Sequence, residues 1–468
     1  MTGSSSSDFP GPFRLLDLSA RLIDEAMADL GRWRRHPVWG LRAAPTPEWD
    51  ARLHELGREW VATLATASRP NDGPDVLLAT QIYQDGGHTA LMGDLATALV
   101  AANGPGTTPP LVWITNLLGH NSKAPASSVL ARLGPAASRV TVFGGVTPVE
   151  KLVELVRLME EIRPRRLFLF HHPEDPLPVV AARPEWCGQR IVVHHADATP
   201  GFGLCLPEVV LIDLNPTAAA QSRLFGLDPR LLPLTSPDPG PRPASFHSDG
   251  RLVTATAARA HKLTTSSRPS YVETVPLVLQ TTGGRHVHIG ELTDEMLESI
   301  RVGVTRAGLP EDSFLYRKWV PSLPHALWEH HCDLYLASFP VDGARTNVEV
   351  AASATPHLRH VSSERKSSRP GGFPLDGGLT WTNRDDLREI LVRSKDAGLL
   401  ESLSRRIRST YDQFHAPVMF AENLHAILRG EPGYLDPHAA ERDRIARESH
   451  RRACLRAGDE PPVRPAET

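Results

Sequence analysis

Short apolar runs alternate with amphipathic segments along most of the chain. In the first half, runs of strand length that are apolar almost throughout lie at 74–81, 111–117, 139–143, 166–170, 190–194 and 209–214. Helical patterns separate several of them, most clearly at 148–162. Apolar strands that alternate with helices predict a parallel sheet covered on both faces. We therefore expect a Rossmann-like, doubly wound α/β domain here.

A second series of the same kind begins after residue 250. Its strand-like runs lie at 251–255, 287–289, 314–316, 333–337 and 358–361, with helical patterns at 293–307 and 385–397. The stretch 226–250 between the series is too rich in proline for a central strand or a helix, which predicts a linker. The expected organisation is a helical segment at 1–70 packed on the first domain, a first Rossmann-like domain at 71–225, the linker at 226–250, a second Rossmann-like domain at 251–430 and a charged tail at 431–468.

Charge and cysteine content narrow the functional class. The 468 residues carry 51 Lys and Arg against 54 Asp and Glu, so the net charge of -3 gives no reason to expect nucleic acid or an anionic membrane as partner. The 4 cysteines are widely spaced without a C-x-x-C pair, which disfavours a disulfide framework and fits a reducing compartment. No basic, apolar leader and no apolar run of about 18 residues occurs. We expect a cytoplasmic protein that does not insert into a membrane.

The segment 331–358 has the pattern of a strand, a tight glycine loop and a helix start. An apolar run ends near Ser338, Gly343 punctuates the turn, and Thr346 or Asn347 begins the helical stretch. The free N–H groups and the dipole at such a helix start suit a phosphate or diphosphate. The alternative is one more β-α connection of a parallel sheet.

A Gly-Gly-His sequence follows the first strand run. Gly86, Gly87 and His88 fall where the strand ends, which is the edge at which open α/β sheets bind ligands. The glycines could admit a substrate, and the imidazole has a suitable ordinary pKa for a general base. The alternative is a glycine turn with an incidental surface histidine.

Two further candidates lie in the second half. Lys262 follows the run at 251–255 and could neutralise a diphosphate as a point charge. His288 and Gly290 end the run at 287–289 and could lie beneath a nucleotide. A solvated lysine and a structural histidine are the respective alternatives.

Histidine pairs follow two strands of the first half. His171 and His172 come after the run at 166–170, and His194 and His195 end the run at 190–194, with Asp197 close behind. Such clusters invite a metal interpretation, but none matches H-E-x-x-H. We expect no metal, and His195 and Asp197 are candidates for lining an acceptor site, with satisfied structural histidines as the alternative.

Three common enzyme signatures are absent. The sequence has no G-x-x-x-x-G-K-[ST], no strand-linked G-x-G-x-x-G and no G-x-S-x-G. A P-loop nucleotidase, a nicotinamide dehydrogenase and a simple serine hydrolase are therefore disfavoured.

Two Rossmann-like halves, the Gly-Gly-His loop and the strand, loop and helix near residue 345 together resemble the GT-B glycosyltransferases. The segment 333–356 resembles their donor-binding segment, in which a loop of small residues opens a helix under the diphosphate and a Glu contacts the ribose. The matching positions in this chain are Gly343, Arg345, Thr346, Asn347 and Glu349.

The resemblance also bears on stereochemistry. Retaining members often carry two Glu residues separated by seven positions, the second preceding Gly-x-Pro, whereas this chain has Val341 at the first position and Ala354 at the glycine. The closer likeness is to inverting protein O- and N-glycosyltransferases, in which a Lys and a Thr-containing loop contact the diphosphate. Lys262 and the Arg345-Thr346-Asn347 stretch match those elements.

The resemblance implies an inverting glycosyltransferase that needs no metal or other cofactor and uses a nucleotide diphosphate sugar, with a UDP-sugar favoured. The second half would bind this donor and the first half an unidentified small-molecule, glycan or peptide acceptor, across a cleft, with His88 as base. The alternatives are a sugar-nucleotide epimerase of the same fold, a non-catalytic nucleotide-binding protein and a metal-dependent hydrolase.

Overall fold

The structure is a computed structural model that describes residues 12–35, 45–64, 69–84, 86–104, 106–195, 201–263, 269–361 and 377–457. The chain forms two compact units, one made of Met1–Leu232 with Leu424–Thr468 and the other of Pro233–Asn423. We call them unit 1 and unit 2. Each is built around one parallel β-sheet.

The sheet of unit 1 has seven strands within the described residues. They are β1 Val76–Ala79, β2 Leu111–Ile114, β3 Val140–Val142, β4 Arg166–Phe170, β5 Gln189–His194, β6 Val210–Asp213 and β7 Arg230–Leu231. Their order across the sheet is β3-β2-β1-β4-β5-β6-β7, and every neighbouring pair is parallel. The central strand β1 is buried throughout because helices cover both faces.

The helices of unit 1 are α1 Pro12–Arg34, α2 Pro47–Leu64, α3 Gly87–Asn103, α4 Ser127–Ala131, α5 Pro148–Ile162, α6 Leu177–Ala181 and α7 Pro216–Leu224. Two of them begin at a residue whose side chain caps the helix, α5 at Thr147 and α7 at Asn215. At α5, Thr147 accepts from the Glu150 N–H and the Glu150 carboxylate accepts from the Thr147 N–H, a reciprocal capping box ahead of a proline at the first helical position. The apolar face of α5 then packs into the core of the unit.

The two N-terminal helices pack on unit 1. Leu15 and Ile23 of α1 and Trp60 of α2 belong to the same buried cluster as the strand residues. The Trp60 indole donates to Ser19 Oγ at 3.1 Å, so the one polar atom of this large side chain is satisfied. These helices extend the core of the unit beyond its sheet.

The sheet of unit 2 has six strands within the described residues. They are β8 Val253–Ala257, β9 Arg285–Ile289, β10 Phe314–Arg317, β11 Leu334–Leu336, β12 His357–His360 and β13 Leu379–Trp381. The helices are α8 Ala260–Leu263, α9 Tyr271–Thr282, α10 Asp294–Arg306, α11 Leu323–Glu329, α12 Ala344–Ala352, α13 Arg384–Arg393 and α14 Ala397–Phe414. The strand order is β10-β9-β8-β11-β12-β13, again all parallel.

Both sheets have the same topology. Counted from its own first strand, each begins 3-2-1-4-5-6, which is the doubly wound Rossmann order. The direction of winding reverses between β1 and β4 in unit 1 and between β8 and β11 in unit 2. The prediction of two tandem Rossmann-like domains is confirmed.

The proline-rich stretch differs from the predicted linker. β7 adds a short strand to unit 1, and the residues from 233 onward lie along unit 2. There Arg242 donates to the Cys332 carbonyl at 2.7 Å, and His247 Nδ1 lies 2.8 Å from Asp333 Oδ2. Among the described residues of this stretch, β7 is the one element of regular structure, and side-chain contacts hold the residues that follow it to the rest of unit 2.

The C-terminal part of the chain returns to unit 1. It contains α15 Pro417–Leu428 and α16 Ala439–Ala457. Asp443 of α16 forms an ion pair with Arg223 of α7 at 2.8 Å, so the part of the predicted charged tail at Ala439–Ala457 is a docked helix. Within the described ranges, no helix combines the length and apolar character that crossing a bilayer requires.

Candidate functional site

The predicted site residues cluster at the two points where the sheets reverse direction. In unit 1, His88 follows β1 and His171 follows β4. In unit 2, Lys262 follows β8, and the loop containing Gly343 follows β11. Doubly wound sheets bind ligands at the carboxyl ends of strands next to such reversal points. Each unit therefore places candidate chemistry where its topology opens a crevice.

In unit 2, Lys262 and Thr346 converge on Gly343. A Cβ atom added at Gly343 would lie 3.1 Å from Thr346 Oγ1 and 3.7 Å from Lys262 Nζ. The Val341 N–H donates to the Lys262 carbonyl at 3.4 Å, which ties the two loops together. Residues separated by about eighty positions thus present an ammonium and a hydroxyl to the same small space.

The start of α12 offers a site for an anion. Its N-cap is Gly343, and no side chain caps it. The first N–H groups of a helix lack intrahelical partners and carry the positive end of the dipole. Lys262 Nζ lies close to this end, and burial lowers its pKa while the Asp342 carboxylate opposes that shift. The arrangement suits a dianionic group such as a diphosphate.

Arg345 and Glu349 pair along α12. Arg345 Nε lies 3.3 Å from Glu349 Oε1, one helical turn away. The Arg345 side chain is only 10% exposed, so it lies against the protein instead of extending into solvent. Arg345 is the second residue of the helix, and its guanidinium pairs with a carboxylate of the next turn.

Asp342 is a buried carboxylate beside this loop to which the sequence analysis assigns no role. Its Oδ1 accepts from the Gly343 N–H at 2.7 Å, and among the described residues its Oδ2 has no hydrogen-bond partner. Burial raises its pKa, while Arg359 and a hydrogen bond from Asn347 lower it. The sequence shows the position of Asp342, one residue before Gly343, but only the fold shows that it is buried.

The Asn347 side chain is hydrogen-bonded to a histidine. His357 Nε2 lies 3.0 Å from Asn347 Oδ1, and the His357 ring stacks on Tyr335 with centroids 5.5 Å apart. Burial lowers the pKa of His357 to about 3, so the ring is neutral at ordinary pH. The Asn347 side chain is therefore held between a neutral imidazole and the Asp342 carboxyl group.

His288 is engaged by protein groups. Its Nδ1 lies 2.7 Å from the Tyr271 hydroxyl and its Nε2 lies 3.1 Å from the Ala258 carbonyl, so both ring nitrogens are used. The side chain is fully buried, and burial lowers its pKa to about 4. The predicted contact of His288 with a nucleotide stays a prediction, and in this structure the ring braces β9 against α9.

Gly290 is required by backbone geometry. Its φ is 123°, a conformation that other residues rarely adopt, and an added Cβ would lie 2.2 Å from the Ala258 carbonyl oxygen. Since a backbone atom cannot move away as a flexible side chain can, the loops after β8 and β9 approach closely only with glycine here. Gly290 lets the two strand ends meet, whether or not a ligand contacts it.

Replacing Gly290 with alanine is expected to destabilise unit 2 by about 2 to 4 kcal/mol, through strained backbone and a direct clash. Hydrogen exchange of peptides from β8 and β9, monitored during urea unfolding, measures the loss of stability. Gly308→Ala is the matched control, because Gly308 also has a positive φ, of 68°, but no atom within 4 Å of its added Cβ. Equal losses in the two variants would contradict the close approach.

In unit 1, the Gly-Gly-His loop forms the start of α3. Gly86 is the N-cap with φ 97°, and Gly87 is the first helical residue. Arg132 donates to the Gly86 carbonyl at 2.8 Å and fixes the loop. His88 follows, partly buried, with its ring at the carboxyl end of β1.

His88 has one nitrogen in use and one unused. Its Nε2 lies 3.0 Å from the Phe170 carbonyl, which can only accept, so Nε2 carries the proton. Nδ1 then has a lone pair, and within the described part of the chain it has no hydrogen-bond partner. Burial lowers the pKa of His88, so the ring is neutral and able to accept a proton.

The structure brings His88 and His195 together. Their ring centroids are 4.5 Å apart. Burial, assisted by the nearby His88, lowers the pKa of His195 well below its ordinary range. His195, His171 and Phe202 are among the residues that line a small cavity, whereas Asp197, the other residue assigned to the acceptor side, lies outside the described residues.

His171 has the same arrangement as His88. Its Nε2 lies 2.9 Å from the Phe202 carbonyl, and no described residue is a hydrogen-bond partner of its Nδ1. Burial lowers its pKa. From the sequence alone, His171 is a candidate only for a metal or a structural role, because which ring nitrogen stays unused depends on a carbonyl thirty-one residues away.

The remaining histidines of the cluster are structural or weakly basic. His194 Nδ1 lies 2.6 Å from Asp213 Oδ1 on the neighbouring strand. Burial, together with Arg34, lowers the pKa of His172 to about 4. Among the described residues, no group of three or more His, Cys, Asp or Glu side chains has the geometry to hold a metal ion.

No protein-family model and no curated protein sequence matches the chain at a significant level. Solved structures do match. The structure of HepE from Anabaena in complex with UDP has a TM-score of 0.55 at 13% identity, over 76% of this chain and 100% of that one. The lipopolysaccharide outer core galactosyltransferase WaaB has a TM-score of 0.55 at 12% identity, over 76% and 99%.

Sucrose-phosphate synthase from Thermosynechococcus elongatus is a third similar structure, with a TM-score of 0.53 at 13% identity, over 76% of this chain and 98% of that one. At such low identity the similarity shows the fold. The prediction of a GT-B fold is confirmed.

Proposed function

We propose that the protein is a glycosyltransferase that moves a sugar from a nucleotide diphosphate donor, with a UDP-sugar favoured, to a hydroxyl or amide acceptor with inversion. Unit 2 would bind the donor and unit 1 the acceptor. The proposal needs no metal. It is supported by the solved structures of the same fold, one of which is described as a complex with UDP and another as a galactosyltransferase.

One observation carries the proposal. Groups suited to a diphosphate lie at the reversal point of one sheet, and groups suited to proton transfer lie at the equivalent point of the other. In unit 2 these are Lys262, Thr346 and the start of α12; in unit 1 they are His88 and His171. A single ligand site would need only one such cluster, whereas a transfer between two substrates needs both.

On the donor side, charge develops on the diphosphate as the bond to the sugar breaks. Lys262 and the uncapped N–H groups of α12 are in place before reaction, so they stabilise that charge without reorganising. Arg345 adds charge from the first turn of α12, and Glu349 is the candidate for contact with the ribose. These assignments follow the resemblance described above.

On the acceptor side, inversion in one step requires a base for the acceptor proton. The unprotonated Nδ1 of His88 is our candidate, because its proton is held on Nε2 by the Phe170 carbonyl. The lowered pKa of His88 weakens the base but keeps it unprotonated at neutral pH. His171 offers a second ring nitrogen that has no hydrogen-bond partner among the described residues.

Calorimetric titration of the purified protein with UDP, GDP and ADP tests the donor site. We expect UDP to bind with micromolar affinity and Arg345→Ala to weaken it by about 1 to 3 kcal/mol, the usual cost of losing a charged hydrogen-bond partner. Arg251→Ala is the control, since Arg251 is exposed, pairs with Asp249 and precedes β8 at the opposite edge of the sheet. If no nucleotide binds, the proposal fails.

Product analysis separates this function from its rivals. Incubation with a UDP-sugar and a panel of hydroxyl compounds should yield a glycoside whose anomeric configuration is opposite to that of the donor. Conversion of the donor into an epimer without transfer would instead identify an epimerase. Binding of UDP without either product would favour a non-catalytic role.

A further inference from the structure

The loop Gly201–Cys205 packs directly against His171 in unit 1. The Phe202 carbonyl lies 2.9 Å from His171 Nε2, and the Phe202 N–H donates to the Pro173 carbonyl at 3.1 Å. A Cβ added at Gly203, whose φ is 89°, would lie 3.2 Å from the His171 ring. The loop therefore determines where the His171 ring lies and which of its nitrogens holds the proton.

Asp50 of α2 holds this loop. Its Oδ1 accepts from the Gly203 N–H at 2.7 Å and its Oδ2 accepts from the Cys205 N–H at 2.8 Å. The Thr46 hydroxyl, which is 3.3 Å from Asp50 Oδ1 and 3.2 Å from the Gly201 carbonyl, braces the same contact. Both oxygens of one carboxylate thus fix backbone groups on either side of residue 204.

Burying the Asp50 carboxylate costs free energy of folding. Asp50 is 1% exposed, and burial raises its pKa to about 6 even though the Gly203 and Cys205 N–H groups lower it. Within the described residues no ion pair offsets its charge, so the carboxylate is stabilised by backbone N–H groups. A core position would normally be filled by an apolar residue, and a buried charge devoted to one loop indicates that the geometry of that loop matters.

We propose that Asp50 is a positioning residue of the acceptor site. It acts through the loop Gly201–Cys205, whose Phe202 carbonyl keeps the proton of His171 on Nε2 and leaves Nδ1 as a hydrogen-bond acceptor that has no partner among the described residues. The N-terminal helices, which are not part of the doubly wound sheet, thereby become part of the functional site. That this site binds an acceptor rests on the proposed function. The contacts that connect Asp50 to His171 do not depend on that function.

Asp50→Asn tests the chain of contacts in the full-length protein. An amide of the same shape accepts from only one of the two N–H groups. We expect amide hydrogen exchange in the loop to be at least ten times faster, and the ¹⁵N signals of His171 to change from a single Nε2-protonated form to a mixture of tautomers. Asp75→Asn is the matched control, because Asp75 is also a buried carboxylate of unit 1 but pairs with Arg166 at the amino end of β1.

Kinetics separate positioning from general stability. With a UDP-sugar and an acceptor identified as above, Asp50→Asn should raise the KM for the acceptor at least tenfold while the KM for the donor stays within twofold. If Asp50→Asn does not fold, Thr46→Val, which removes only the bracing hydroxyl, should show the same changes to a smaller degree.

A folded Asp50→Asn protein with an unchanged loop and an unchanged His171 tautomer overturns the inference. Failure of the proposed function looks different, because the loop and the tautomer would change as expected while no UDP-sugar is turned over by any variant. Equal changes of the loop in Asp75→Asn would also overturn it, since the effect would then be general loosening of the unit.

Discussion

Replacing Lys262 with methionine is expected to lower the rate of sugar transfer by about 100- to 1,000-fold, the usual effect of removing one preorganised group from developing charge. Methionine keeps most of the length and apolar volume of lysine but removes the charge. Lys262 Nζ is partly buried beside Gly343 and the uncapped start of α12, so water screens it less than it would a surface ammonium. The rate of UDP release from a UDP-sugar, with acceptor or with water as acceptor, measures the effect.

The effect on binding should be smaller than the effect on rate. UDP already carries the diphosphate charge, so Lys262→Met should weaken its binding by about 1 to 3 kcal/mol. The rate falls further because the charge on the departing oxygen is greatest in the transition state. A loss of affinity with no loss of turnover would mean that Lys262 binds the donor but does not assist the reaction.

Lys318→Met is the matched control. Lys318 also follows a strand of the same sheet, β10, but its side chain is 69% exposed and pairs with Glu291 at 2.7 Å. We expect this variant to transfer sugar at the rate of the unchanged protein. A comparable loss in both variants would point to a diffuse effect of net charge and would remove the special role of Lys262.

The architecture could be predicted because parallel strands leave a strong trace in sequence. The run at 166–170 coincides with β4, and the runs at 111–117 and 333–337 contain β2 and β11. Strands buried on both faces have few polar residues, and glycine and proline mark their ends. This pattern also predicts which residues come after each strand, and hence that His88, Lys262 and Gly343 lie at ligand-binding edges.

The edge strands β7 and β13 could not be predicted in the same way. β7, of two residues, lies inside the proline-rich stretch, and β13 at Leu379–Trp381 has an exposed central residue. An edge strand has one paired side and often one exposed face, so its sequence need not be apolar. These strands are identified by their partners in space.

The roles of individual side chains depended on burial that no local pattern reveals. Asp50 and Asp342 have the composition of surface residues, yet both are buried against backbone N–H groups. His288, a candidate ligand contact from its place at a strand end, has both ring nitrogens occupied by Tyr271 and Ala258. The sequence indicates which loops contain candidate functional residues. The fold determines which of their atoms already have hydrogen-bond partners within the protein.

Unit 2 is expected to unfold in mild acid because it buries neutral histidines. Burial lowers the pKa values of His286 and His357 to about 3 and that of His288 to about 4, from an ordinary value of 6.5. Below pH 6.5 these histidines bind protons in the unfolded chain but stay neutral in the native state. The stability of the unit is therefore complete above pH 6.5 and is lost as the pH falls toward 4. Each histidine costs roughly 1.4 kcal/mol per pH unit over that window.

At pH 5 these three histidines together remove several kcal/mol, which is on the order of the whole stability of an ordinary domain. The raised pKa of Asp342 acts in the opposite direction, since its native form takes up a proton more readily than the unfolded chain, but it is one group against three. Hydrogen exchange of peptides from β9 and β11, in steps from pH 7.5 to pH 5, reports the stability of this unit separately. Protection that stays constant over this range would contradict the expectation.

His286→Gln should make the free energy of unfolding of unit 2 less dependent on pH, by about the contribution of one proton. In the native structure His286 is fully buried between the Thr254 and Tyr271 hydroxyls, at 2.8 and 3.0 Å, and glutamine can satisfy both without titrating. His325→Gln, which replaces an exposed histidine of α11, is the control and should leave the slope unchanged. Because His286 lies on β9 away from the loop at Gly343, a flatter slope with unchanged UDP binding at pH 7.5 would show that the buried histidines set the acid limit of the unit independently of its ligand.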